Sequence, residues 1–443
     1  MARLGRMRRY YTHRGERGIS LAFVVIAIFA LLGMAALAID LATLYVGRAQ
    51  AQRVADAAAL AGAKTLVASG MTADPANTQG SWATICAQAI AQAQGIGSQE
   101  SIGGAPPASV TPCFPNGGSC STACPSATAI GTGFGVNPKV SVTVQSAPMP
   151  LFLAKIWGNS TATVEATGLA EGFNPSGTNI PVASKCVTPW LLPNIDPSNG
   201  EWIFDPVNGP IMNNEPTTPG DPEGVVGRSI QLVTGCVGGC GSPSVPVRVV
   251  GPPMKLTYYP LDLPNPATTW PSCSPVGATT YQTNITSCNP TPLACGQTVN
   301  LSATATLAGN IAGNEQAMEC RTGATGAGLG KNQDTLDVSN YPFEIDAGGT
   351  HNGVTTGTQI STSRSVMTIP VYGSWPSGGP YTAPASPVTI LGYVQAFVNS
   401  SSGGNPTITI LNISGCSATA RSSTVPPVGL NEGSPVPVRL IHN

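Results

Sequence analysis

Twelve cysteines are the side chains best equipped for chemistry in this sequence: Cys86, Cys113, Cys120, Cys124, Cys186, Cys236, Cys240, Cys273, Cys288, Cys295, Cys320 and Cys416. Thiols at these spacings fit two chemistries. Cys120-x-x-x-Cys124 and Cys236-x-x-x-Cys240 could clip a metal, or the whole set could form disulfides in an oxidising compartment. The supply of other ligands argues against metal: His13 precedes every cysteine, and neither His351 nor His442 lies near a cysteine pair. The even number favours disulfides, so all twelve are disulfide candidates whose pairing the sequence leaves open.

Catalytic patterns are lacking. There is no G-x-S-x-G and no H-E-x-x-H, and three scattered histidines leave little for a triad. Gly326-Ala-Gly328-Leu-Gly330-Lys331 superficially resembles a phosphate loop, but Thr325 stands where the first glycine belongs and Asn332 follows the lysine, so it reads as a surface loop. Asp196, Asp205, Asp334 and Asp337 read as turn residues rather than calcium ligands. Trp190, Trp202, Trp270 and Trp375 each stand near a proline. They could form a partner surface, though such tryptophans more often plug the end of a β structure. No catalytic residue, metal site or cofactor is expected.

The elements that position these residues hang from Ile19 to Ile39, an uncharged apolar run closed by Asp40. At 1.5 Å per residue it makes a helix of roughly 32 Å, close to the ~30 Å hydrocarbon core of a bilayer. Ile19, Phe23, Phe29 and Ile39 mark it as a membrane anchor. Arg3, Arg6, Arg8, Arg9, Arg14 and Arg17 precede it against the single acid Glu16, which keeps the N-terminus cytoplasmic and exports the rest. The competing reading is a cleavable signal peptide ending at Ala36-Leu37-Ala38. Its hydrophobic region would be shorter, and the helical pattern here continues past Asp40. Prepilin processing lacks its glutamate, because Phe23 and Ser20 stand at the fifth position after Gly18 and Gly15.

The 20 basic and 21 acidic residues nearly cancel, and the basic leader leaves the exported part mildly acidic, which argues against nucleic acid as a partner. Glycine and proline total 52 and 41, which predicts many turns. After Asp40 the helix runs on with a face of small residues that includes Leu44, Tyr45, Ala55, Ala59 and Gly62. That face suits close packing, either on the protein's own sheet or on a partner helix. A short helix is expected at Trp82 to Ala93, a disulfide-pinned loop over Gly103 to Ser126, strands at Val140 to Val144 and Ala162 to Ala170, and a short helix at Leu151 to Trp157 between them. Beyond Gly172 the periodicity is almost wholly strand-like, at Val245 to Val250, Met254 to Tyr259, Val299 to Leu307, Ser365 to Tyr372, Val388 to Val398, Pro406 to Ile413 and Val436 to Ile441. Asn399 to Asn405 has the composition of a hairpin turn.

The fold class is therefore α+β: a long N-terminal transmembrane helix continuing into a small helix-on-sheet unit, a plan that resembles the pilin-like one, followed by a disulfide-containing, all-β, sandwich-like exported domain. The boundaries are 1–18 for the leader, 19–39 for the span, 40–172 for the helix and small sheet, and 173–443 for the β-rich domain.

The block Arg17-Gly18, apolar run, Ala38-Ile39-Asp40-Leu41, Leu44-Tyr45 and Arg53-Val-Ala-Asp-Ala-Ala-Ala-Leu-Ala-Gly-Ala63 resembles the N-terminal domain of TadG-like Flp pilus-assembly proteins. The strand, proline, short aromatic helix, glycine and strand that follow are similar to TadE- and TadG-like proteins as well. The resemblance implies a single-pass, non-enzymatic protein of the bacterial cytoplasmic membrane with its bulk periplasmic or extracellular. Its implied partners are the lipid bilayer and other pilus-assembly or pilin-like proteins. Many such proteins carry an exported domain with a metal-holding D-x-S-x-S. Here Asp196-Pro-Ser-Asn-Gly and Asp337-Val-Ser-Asn-Tyr are the nearest matches, which puts metal-dependent adhesion in doubt. Lys185 to Trp190, Tyr258-Tyr259, Tyr281 to Cys288 and the final Pro-Val-Arg-Leu-Ile441 look similar to a variant with a Cys-rich β domain. A stand-alone envelope-anchored adhesin or surface structural protein is the alternative. With the bacterial origin that the resemblance implies, the sequons at Asn159, Asn284 and Asn412 read as compositional accidents.

Overall fold

The structure is a computed structural model that describes residues 16–68, 82–116, 119–121, 124, 138–158, 160–172, 182–207, 209, 211–212, 224–234, 248–266, 279–287, 289–300, 311–323, 332–339, 343–349, 354–360, 363–373, 387–402, 404–416, 428–429, 436 and 438–441. Outside these lie Arg3, Arg6, Arg8, Arg9, Arg14, Cys236, Cys240, Cys273, Cys288, Trp270, Trp375, Asn159, the glycine-rich loop at 326–331, and the parts of two expected strands at 245–247 and 301–307.

Helix α1, Glu16–Ala68, is one unbroken element of 53 residues. Its first half is long and apolar enough to cross a membrane, and an 18-residue stretch there has a mean hydropathy of 2.8 with none of it buried against the rest of the chain. Phe23, Phe29 and Ile39 point outward. Its second half reverses this, because Ala51, Ala55, Ala58, Ala59 and Ala63 are fully buried. One helix thus carries two environments, and Asp40 stands where they meet.

That second half lies on an antiparallel sheet and against helix α2, Trp82–Gln99. The sheet contains β1 (Ser109–Asn116), β2 (Ser119–Ser121), β3 (Lys139–Gln145) and β6 (Glu165–Gly172), while the pair β4 (Met149–Pro150) and β5 (Thr161–Ala162) stands beside it. Val140, Val142 and Val144 alternate inward from β3 and meet Ala166 and Ala170 of β6 under the helix. Contact is close because both surfaces are small: a Cβ at Gly168 would lie 2.5 Å from the Ala55 carbonyl carbon. Trp82 stacks edge-on against Phe114 at 5.4 Å. Part of the loop expected over Gly103 to Ser126 is thus strand, and α2 runs six residues past the expected Ala93.

The second unit is mostly β. It comprises β7 (Val182–Ser184), β8 (Trp190–Pro193), β9 (Ser229–Thr234), β10 (Arg248–Val249), β11 (Met254–Pro260), β12 (Leu293–Ala294), β13 (Thr298–Val299), β14 (Thr335–Asp337), β15 (Glu344–Asp346), β16 (Gln359–Ile360), β17 (Val366–Tyr372), β18 (Val388–Ser402), β19 (Asn405–Gly415) and β20 (Val428–Gly429). Two helices that the sequence reading lacked, α3 (Thr280–Thr286) and α4 (Ile311–Thr322), make it mixed rather than all-β. Tyr281, Ile285, Ala317 and Met318 of these helices join the same core as the strands.

Among the described residues, the strands of this unit do not divide into two facing sheets. The main sheet runs β10-β11-β8-β17-β18-β19-β9, and β9 also pairs parallel with β11. The path β11-β8-β17-β18-β19-β9 therefore closes into a six-stranded ring. Ile230 and Leu232, Leu256 and Tyr258, Ile369 and Val371, Val394 and Ala396, and Ile408 and Ile410 supply alternate positions to one apolar core. Register shifts at Val371/Tyr372, Gln395/Ala396 and Val398/Ser400 bend the long strands enough for closure. The β18–β19 hairpin is tighter than its composition suggested, since Ser402 already faces Asn405.

The final strand β21, Val438–Leu440, was grouped above with the later strands. It pairs instead with β6, antiparallel, on the edge of the first sheet. The reason is chemical as well as topological: Arg439 pairs with Glu171, a carboxylate that β6 would otherwise leave nearly buried without this cation.

Candidate functional site

The best-built polar centre is at the junction inside α1. Asp40 ends the exposed apolar run, and it has no basic residue three or four positions away to pair with along the helix. Its carboxylate is 5% exposed. It accepts three backbone hydrogen bonds, from Phe152 N at 2.6 Å, Leu153 N at 2.7 Å and Ala154 N at 3.2 Å. These amides open a single 3-10 turn, Ala154–Trp157, so the aspartate caps a turn more than a hundred residues away in sequence. The Phe152 amide, with those of Ala154 and Leu153, holds the carboxyl below its ordinary value against the opposing effect of burial. Sequence reading treated Asp40 as an end mark and missed this role. Its missing helical partner was the available signal.

Further along, Gln50 Oε1 accepts from Gly103 N at 2.7 Å, and Gln52 Nε2 donates to Asp56 at 2.8 Å and to the Thr167 carbonyl at 3.0 Å. Met149 of β4 lies over Gly47, where a Cβ would sit 2.7 Å from the methionine Cε. The helix is thereby latched to the sheet unit at several levels. Of the expected packing face, Ala55, Ala59 and Gly62 are buried together against that unit, Leu44 is half-buried and Tyr45 is 78% exposed. The side chain of Ile19 lies outside the described ones.

The described cysteines take the disulfide chemistry. Cys86 pairs with Cys124, Cys113 with Cys120, and Cys295 with Cys416. The two ends of Cys120-x-x-x-Cys124 thus go to different partners, which rules out a metal clip there. Cys186 and Cys320 are also disulfide-bonded, and no described cysteine is free.

Other candidates resolve into structure. Asp196 and Asp337 each accept from the backbone two residues on, Ser198 N at 2.7 Å and Ser339 N at 2.8 Å, which is turn geometry. Asp205 does the same with Val207 N, and Asp334 accepts from Gly348 N at 2.9 Å. Trp190 is buried against Tyr258, whereas Trp202 is half-buried. Asn284 and Asn412 are buried, so neither sequon is accessible. Tyr258 and Tyr281 bring their hydroxyls within 3.4 Å inside the barrel core, and burial pushes both phenols up.

Residues 18–65 match the family described as putative Flp pilus-assembly TadE/G-like. The match begins beside the apolar half of α1, takes in Asp40 and ends in the buried alanine-rich half. No curated protein and no solved structure matches the chain.

Proposed function

We propose that this chain, which carries a TadE/G-like Flp pilus-assembly segment at residues 18–65, is a membrane-anchored, non-enzymatic component of a Tad/Flp-type pilus assembly or adhesion system. A pilus-related role is what the family match supports, and the observation that carries the finer reading is the two-sided character of α1. Its apolar half is bare, and its small-residue half is already occupied by the protein's own sheet. The helix is thus spent on anchoring and on holding the sheet unit, which leaves the barrel and the exposed rim to meet partners.

In this reading the arginine leader stays in the cytoplasm of a bacterial inner membrane. All twelve cysteines follow the span, as disulfides in an oxidising compartment require. The work is mechanical: a rigid latch at Asp40 couples the membrane span to an exported body that sits beside pilin-like or assembly proteins.

The test is a count of surface filaments by electron microscopy in a strain deleted for the gene, with surface attachment scored on the same cultures. Loss of filaments, restored on complementation, is the expected result. Persistent filaments with reduced attachment would instead favour a stand-alone adhesin, and no change in either would overturn both readings.

A further inference from the structure

The geometry points to a lipid surface as the partner of the β4–β5 hairpin tip, with Phe152 inserted at the outward interface of the same bilayer that holds α1. β4 and β5 pair Met149 with Ala162 and Pro150 with Thr161, so the described residues 151–158 and 160 belong to the connecting tip. Asp40 draws the start of that tip against the helix where the bare apolar run stops. A backbone amide bonded to that carboxylate lies within about 6 Å of the Asp40 backbone. The interfacial layer beyond the hydrocarbon is roughly 5–7 Å deep on each side. Phe152 is therefore held at interfacial depth, and the residue is 64% exposed rather than folded back into the protein.

The neighbouring side chains agree with a membrane-facing tip. Leu151 is buried behind it as a fixed base, and Lys155 is exposed one turn on, able to reach lipid phosphates while its stem stays apolar. Tyr45, five residues and about 7.5 Å further along the helix than Asp40, is exposed and adds the aromatic character common at bilayer interfaces. An exposed phenylalanine at the start of a segment held by three charge-assisted hydrogen bonds, one of them its own, is costly to present to water and useful beside acyl chains. Its occupant is lipid rather than another protein because the bare span continues directly below it.

This inference rests on the reading of α1 as a retained anchor, and the test separates the two. The full chain is reconstituted in nanodiscs of phosphatidylethanolamine and phosphatidylglycerol with p-benzoylphenylalanine placed singly at Ile26, Phe152 or Lys64. Lys64 is exposed and roughly 36 Å along the helix axis from Asp40. After irradiation, lipid adducts are read by mass spectrometry. Adducts at positions 26 and 152, several-fold above position 64, are expected. Adducts at 26 with none at 152, with only a second copy of the chain captured there, or with as much lipid at 64 as at 152, would overturn the inference and leave the anchor intact. Absence of lipid at 26 would overturn the anchor reading and this inference with it.

Discussion

At the scale of single residues, Asp40 does the most with the least. Three amides converge on it, so removing the carboxylate leaves the start of the tip after β4 without acceptors. Asp40→Ala should raise hydrogen exchange at Phe152, Leu153 and Ala154 on the order of tenfold or more, with Asp40→Asn intermediate because one amide oxygen remains. The pH dependence has a definite sign. The folded carboxyl titrates below its ordinary 3.8, so its stabilising effect is complete above that value and is lost as pH falls beneath it. Protection of these amides, the observed exchange divided by the intrinsic rate at each pH, should therefore be flat down to about pH 4 and be lost below it in the wild-type chain only. Gly168 is the second such position. Its missing Cβ lets β6 touch the Ala55 backbone, which cannot retreat like a flexible side chain. Gly168→Ala should cost about 1–3 kcal/mol in denaturant unfolding, as overpacking does.

At the scale of elements, legibility depended on whether a signal was local. The long apolar run, the small-residue stripe and the alternation in β18 and β19 are each written in consecutive residues, and each appears as a helix or strand. β1 was hidden because Pro112 and Pro115 interrupt its pattern, although Val110 and Cys113 pair with β3 in register. α4 was hidden because Ile311–Thr322 is largely polar, and packing of Ala317 and Met318 onto the barrel decides it. Barrel closure depends on β9 lying parallel to β11, a non-local pairing that no periodicity encodes. The Asp40 latch was invisible for the same reason, since its donors lie 112 to 114 residues away. The Cys295–Cys416 bond works at this scale, closing a separation of 121 residues to fasten the β12–β13 segment to the end of β19. Cys295→Ser with Cys416→Ser should lower barrel stability by about 2–5 kcal/mol, read by thermal unfolding under oxidising conditions. The buried phenols set an alkaline limit. With Tyr258 and Tyr281 raised by burial, the unfolded state ionises first, so stability should hold to about pH 10 and decline above it.

At the scale of the whole molecule, the barrel unit is an insertion. The chain leaves the first sheet at Gly172, builds residues 182–429, and returns as β21 to pair Val438 with Gly172 and Leu440 with Ala170. A further tie runs from Asn412 Nδ2 of β19 to the Val67 carbonyl near the end of α1 at 3.2 Å. Both ends of the inserted unit are thus fixed to the sheet that α1 holds, so a load on the barrel reaches the apolar half of α1 through β6 and β21 together. Arg439 is the critical member of the returning strand, because its guanidinium meets a Glu171 carboxylate that is only 7% exposed. Lys139, 4.0 Å away on β3, is a weaker substitute. Arg439→Ala leaves a nearly buried acceptor underpaired and should cost about 1–3 kcal/mol, whereas Arg439→Lys should recover part of that. If the insertion is what transmits load, the alanine variant should also unfold the barrel's attachment at lower force in single-molecule pulling between the N-terminus and the barrel. Its barrel core should keep wild-type hydrogen-exchange protection. Equal loss of protection in the barrel core would mean instead that the two units fold as one and that β21 is a stabilising strand without a separate mechanical role.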